Sequence, residues 1–140
     1  MFDLAHIHPM LVHFPIALTL LGCLFEFIAM IRKQPSKCGQ TILYFATFSA
    51  ILAATAGALF TPNFTEEKLA AAKNIHSTVA GITVTLLCIA SAFYIGMYLL
   101  KKYAILFRKI GFIFYVASAL AVAVTGFLGG VLVYNDLMKM

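Results

Sequence analysis

Four apolar stretches, Pro9 to Ile31, Thr41 to Phe60, Ile75 to Leu100 and Ile110 to Tyr134, run through this chain. Each has at least the roughly 20 residues that carry an α-helix across a bilayer. Four such spans use up most of the 140 residues, so the sequence reads as one integral membrane domain, residues 1–140, with no room for a soluble one. Composition agrees, since only 11% of residues are charged, against roughly 25% in a soluble globular domain. The expected fold is all-α: an antiparallel bundle of four transmembrane helices.

The basic residues give that bundle an orientation. Arg32, Lys33 and Lys37 lie between the first two spans, and Lys101, Lys102, Arg108 and Lys109 between the last two; only Lys68, Lys73 and Lys139 lie elsewhere. By the positive-inside rule both termini face outward, which at a bacterial inner (cytoplasmic) membrane is the periplasm. The net charge of +5 is therefore a topology signal, and its division between two short loops argues against nucleic acid as a partner. Nothing basic precedes the first run, which also exceeds the ~7–15 residues of a cleaved leader, so it reads as a retained span. Cys23 and Cys88 fall inside spans and Cys38 in an inner loop, so no pair is placed for a periplasmic disulfide. The chain has no C-x-x-C-H, which excludes covalent c-type haem attachment.

All four histidines, His6, His8, His13 and His76, fall on the outer side of this topology. His8 opens the first span and His76 the third, 68 positions later (76 − 8). Gly57 near the end of the second span and Gly126 in the fourth are 69 apart (126 − 57), as are the basic residues Arg32 and Lys101 (101 − 32). This spacing suggests a helical hairpin used twice, with one histidine at the same place in each copy.

Pro9 suits a first helical position, whereas Pro15 removes the bond to the Leu11 carbonyl and should bend the axis. Glu26 lies 18 positions, or five turns, beyond His8 on the same helical face, with Pro15, Thr19 and Gly22 near that line. This small and polar face is expected to turn into the bundle. His13 is rotated away from it by about 140° on an ideal helix. The third helix is expected to begin before the membrane, capped by Thr65 after the Pro62–Asn63 turn, with Glu66 and Glu67 at its positive end. Leu69, Ala72, His76, Ala80 and Thr83 then share its packed stripe. Ala53 and Gly57 on span two, and Gly126, Gly129 and Gly130 on span four, allow close helix packing or leave room for a flat cofactor.

The block Ile7-His8-Pro9-Met10-Leu11-Val12-His13-Phe14-Pro15-Ile16 resembles the signature of a family of small four-helix bacterial membrane proteins, a domain of unknown function. The resemblance extends to Glu26, to His76 and to the Gly129–Tyr134 ending. Members of that family occur alone or fused to c-type cytochrome or Rieske iron–sulfur modules. The resemblance thus implies electron transfer at the outer face, with a c-type cytochrome or a Rieske protein as partner.

Three functions are compatible with these residues. In the first, haem b is held by axial imidazoles from His8 and His76, with His13 as the reserve ligand and Gly57, Gly126, Gly129 and Gly130 leaving space beside it. In the second, His6, His8, His13 and His76 offer nitrogens to Cu or Zn. In the third, a cofactor-free subunit binds a redox partner, a quinone or a second copy of itself. An electron carrier or complex subunit fits better than a stand-alone enzyme, because no nucleophile–base pair, phosphate loop or soluble cleft is evident. Glu26, about 27 Å along the helix from His8, is expected to pair with Lys or Arg, or with Tyr94 or Tyr98.

Overall fold

The computed structural model describes residues 7–34, 36–60 and 65–137, with side chains of residues 8–34, 36–60 and 65–134. Every long element is helical: α1 (Ile7–Leu11), α2 (His13–Ile31), α3 (Lys37–Phe60), α4 (Glu67–Leu99) and α5 (Ala104–Leu137), with a short 3-10 turn at Lys101–Tyr103. Four segments are long and apolar enough to cross a membrane: His8–Ile31, Lys37–Phe60, Glu67–Leu99 and Lys101–Tyr134. Packing is closest within two hairpins, α2 on α3 and α4 on α5, and these close into a ring through α2–α5 and α3–α4. The first and third spans therefore stand on one diagonal.

The first span breaks at Val12, between α1 and α2. Pro15 has no N–H for the Leu11 carbonyl, and the bond from Ile16 N to the Val12 carbonyl stretches to 3.4 Å. The bend therefore falls between His8 and His13 rather than below both. At the other end of α2 the chain turns through Lys33, whose φ of 53° is left-handed. Lys33 N bonds to the Met30 carbonyl and Gln34 N to the Ala29 carbonyl, which together make a Schellman cap.

The third span does begin early, but its N-cap is Glu66 and its first helical residue Glu67, so Thr65, the expected cap, lies one residue before the observed one. The Pro62–Asn63 turn lies outside the described residues. Helices α4 and α5, at 33 and 34 residues, are about 50 Å long and exceed the ~30 Å hydrocarbon core.

Inside and outside are sorted as lipid demands. Phe14, Phe45, Phe48, Ile113, Leu120 and Phe127 face outward, where hydrocarbon replaces water as their solvent. The core is small or hydroxyl-bearing: Ala46, Ala50, Ala53, Ala90, Thr19, Thr47, Thr83, Ser91 and Ser118, with Leu43, Leu87, Tyr94 and Tyr115 filling its lower half. Between apolar helices in apolar solvent, close approach of small residues and interhelical hydrogen bonds supply the association energy. Thr47 bonds Ser91 across α3–α4 at 2.8 Å, and Thr83 bonds Thr125 across α4–α5 at 3.0 Å.

Candidate functional site

His8 and His76 meet across the diagonal of the bundle. Their ring centroids are 6.3 Å apart and their planes nearly perpendicular, at 78°. His8 Nδ1 lies 2.8 Å from the Ala53 carbonyl on α3. A carbonyl only accepts, so Nδ1 is the donor, and in the neutral ring the free lone pair is on Nε2. This is the arrangement by which a ligating imidazole is oriented and made more basic by a backbone partner. On the other ring, Nδ1 of His76 is buried and has no hydrogen-bond partner among the described groups. Two half-buried imidazoles therefore meet, one aimed by the backbone and one with an unused nitrogen.

A glycine on the following helix supports each ring. A Cβ on Gly57 would stand 2.8 Å from Cε1 of His8, and one on Gly129 would stand 3.1 Å from Cε1 of His76. The duplicated unit is thus a histidine resting on the glycine of its hairpin partner. The structural counterpart of Gly57 is Gly129 and not Gly126, which corrects the register expected from the 69-residue spacing. Gly126 receives Ile16 of α2, whose Cδ1 would be 3.1 Å from an added Cβ. At Gly130 an added Cβ meets nothing within 4 Å, so it makes no close helix contact, contrary to the expectation from its spacing to Gly126.

His13 is not brought to the pair. It is exposed and its Nδ1 bonds the Pro9 carbonyl at 2.9 Å, one turn back. The bend at Val12 does not offset the rotation that separates it from His8. His6 lies outside the described residues. Among the described residues no three of His, Cys, Asp and Glu gather as a metal-ligand set, so the histidine site is a pair.

The expected inward face of the first span is buried along its length: Pro15, Thr19, Gly22 and Glu26. Glu26 is fully buried and accepts from Nε of Arg108 at 2.8 Å. The Nη2 group of Arg108 donates to the Gln34 carbonyl at 2.7 Å, which the Schellman turn presents to it. Close approach of α2 and α3 shapes this end. An added Cβ on Gly39 would lie 2.9 Å from Glu26 N, and one on Gly22 would collide with the Tyr115 hydroxyl. Tyr94 lies beside Glu26 and Arg108 without reaching hydrogen-bonding geometry, and Tyr98 donates to Gln40. The sequence pointed to a basic partner for Glu26 but not to Arg108 in particular. It also gave no sign of the Ala53 carbonyl, because backbone acceptors leave no letter in the sequence.

These features define a class: an all-helical membrane bundle of four spans, with paired histidines at one end and a buried ion pair near the other. The chain belongs to the family described as "Predicted membrane protein (DUF2231)", which matches residues 5–140. No curated protein and no solved structure matches the chain.

Proposed function

We propose that this chain is a b-type cytochrome-like electron carrier of the bacterial inner membrane, with haem b held by His8 and His76 at the periplasmic end. The observation that carries this reading is the His8–His76 pair, one ring held through Nδ1 by a backbone carbonyl so that Nε2 is free to ligate. A metal bound at about 2 Å by one nitrogen of each ring places the ring centroids about 6 Å apart, close to the observed 6.3 Å. Haem asks only two ligands of the protein, whereas Zn sites use three or four; a pair suits the first demand. Haem held by this pair would need small neighbours, and near it the helices of the other diagonal carry Ala53, Ala56, Gly57, Gly129 and Gly130, with Gly126 covered by Ile16. When bound, the haem would supply one-electron chemistry. The protein's part would be axial ligation and exclusion of lipid and water. A c-type cytochrome, a Rieske protein or a quinone would exchange the electron at this end.

The test is an absorption spectrum of protein made with ample haem, oxidised and then dithionite-reduced. A Soret band with sharp reduced-state bands is expected. A flat spectrum would end the cytochrome reading, and Cu or Zn titration would then test the ring pair as a bare metal site. A periplasm-active reporter at the C-terminus should report activity, because seven of the ten basic residues lie in or within about two turns of the connections between spans one and two and between spans three and four.

A further inference from the structure

The connection between α2 and α3 borders a cleft of about 240 Å³ on the outside of the bundle. Arg32, one residue past α2, and Lys37, the first residue of α3, supply its charges, and both are exposed. No carboxylate lines the cleft. Glu26, next to the lining residue Phe25, is turned inside and held by Arg108. Among the described residues the side chains of Arg32 and Lys37 have no ion-pair or hydrogen-bond partner. Two cations thus stand together at one cleft with nothing in the protein to neutralise them.

Neutral donors converge on the same place. Ser36 is only 9% exposed, and its Oγ accepts from Gly39 N at 2.9 Å, so it caps α3. Ser36 lines the cleft, and its hydroxyl proton has no acceptor among the described residues. Lys37 N and Cys38 N, in the first turn of this 24-residue helix, bond no described group either. Free N–H groups at a helix start favour an anion, the more so beside fixed cations. The rest of the wall is apolar: Ile28 and Phe25 continue it along α2, roughly 6 and 10 Å farther into the span than Arg32. Arg32 and Lys37 themselves stand at the ends of the spans His8–Ile31 and Lys37–Phe60, the level at which lipid phosphates lie.

We infer that this cleft is a binding site for an anionic phospholipid. Its phosphate oxygens accept from the Arg32 guanidinium, the Lys37 ammonium, the Ser36 hydroxyl and the first N–H groups of α3. One acyl chain lies against Ile28 and Phe25. A free phosphate would satisfy the donors but leave the apolar wall unused. A choline headgroup brings its own cation, which Arg32 and Lys37 repel. Basic clefts between helices at a membrane face are where acidic headgroups are recognised. The bound lipid braces the α2–α3 connection, whose Gln34 carbonyl holds Arg108. The site lies at the opposite end of the bundle from the histidine pair, so it stands whether or not haem is bound.

The experiment uses the full chain, delipidated in dodecyl maltoside and titrated with phosphatidylglycerol, phosphatidylcholine or inorganic phosphate. Native mass spectrometry should show one phosphatidylglycerol retained, with several-fold less phosphatidylcholine at equal concentration. Phosphatidylglycerol should also raise the melting temperature, because it binds only the folded chain; inorganic phosphate at the same concentration should not. In Arg32→Gln/Lys37→Gln retention should fall at least about tenfold, as expected for losing two interfacial cations. These side chains are exposed and unpaired, so the variant should melt close to the lipid-free wild type. Lys101→Gln/Lys102→Gln removes the same charge from the other connection at this end and should retain the lipid. Equal retention of phosphatidylcholine overturns the inference, as does equal stabilisation by inorganic phosphate. So does an equal loss in the two double variants, or undiminished retention in Arg32→Gln/Lys37→Gln.

Discussion

Arg108 and Glu26, 82 positions apart, join α5 to α2 through a 2.8 Å charge-assisted hydrogen bond whose carboxylate is closed to solvent. In a bundle whose helices meet mostly through alanine and hydroxyl side chains, this contact fixes the rotation of both elements. Arg108→Met should destabilise the protein by about 3–5 kcal/mol, because it strands a buried carboxylate. The double variant Glu26→Leu with Arg108→Met should recover much of that loss. Thermal melting in detergent measures both, and a double variant as unstable as the single one would mean that the pair itself supplies the stability.

Lys33 has φ 53° at the end of α2, and its Schellman geometry presents the Gln34 carbonyl to Arg108. A side chain in that region is disfavoured by roughly 1–2 kcal/mol relative to glycine. Lys33→Gly should therefore raise detergent stability by up to about 1 kcal/mol, once the greater chain entropy of glycine is deducted. A fall in the melting temperature would show that the lysine charge outweighs the backbone term.

The glycines of the histidine end should separate by what each faces. Gly57→Ala puts a methyl 2.8 Å from the His8 ring and should displace it from Ala53; overpacking of this kind typically costs about 1–3 kcal/mol. Gly129→Ala meets His76 at 3.1 Å and should show a smaller loss. Gly130→Ala meets nothing and should be neutral or stabilising by up to about 1 kcal/mol through helix propensity. Detergent melting of the three orders them, and equal losses would contradict the ring–glycine contacts.

Much of this was legible in the sequence. Span length identified the four helices, and the 18-residue interval from His8 to Glu26 placed Pro15, Thr19, Gly22 and Glu26 on the buried face. The level at which each glycine acts was not legible. Gly129 and Gly130 lie three and four residues beyond Gly126, so each is a neighbour of it on the helix surface, and a hairpin can slide one turn without changing which face is apolar. The contact that chooses Gly129 for His76 is made in space. The break at Val12 was foreshadowed by Pro15, but its position above His13 depends on which carbonyl is left without a donor.

The histidines themselves offer the most discriminating test. The haem reading assigns ligation to His8 and His76, which are 6.3 Å apart, and none to His13, which is exposed and bonded to the Pro9 carbonyl. His76→Ala should abolish the reduced-state bands, since no other histidine lies on α4. His8→Ala should do the same, because His13 would have to swing round the far side of the Val12 break to replace it. His13→Ala should leave the spectrum unchanged. His6→Ala should be nearly silent for haem but would weaken a Cu or Zn site that recruits the N-terminal segment. Bands that survive His8→Ala and vanish only in the His8→Ala/His13→Ala double variant would assign the ligand to His13 and overturn the His8–His76 geometry.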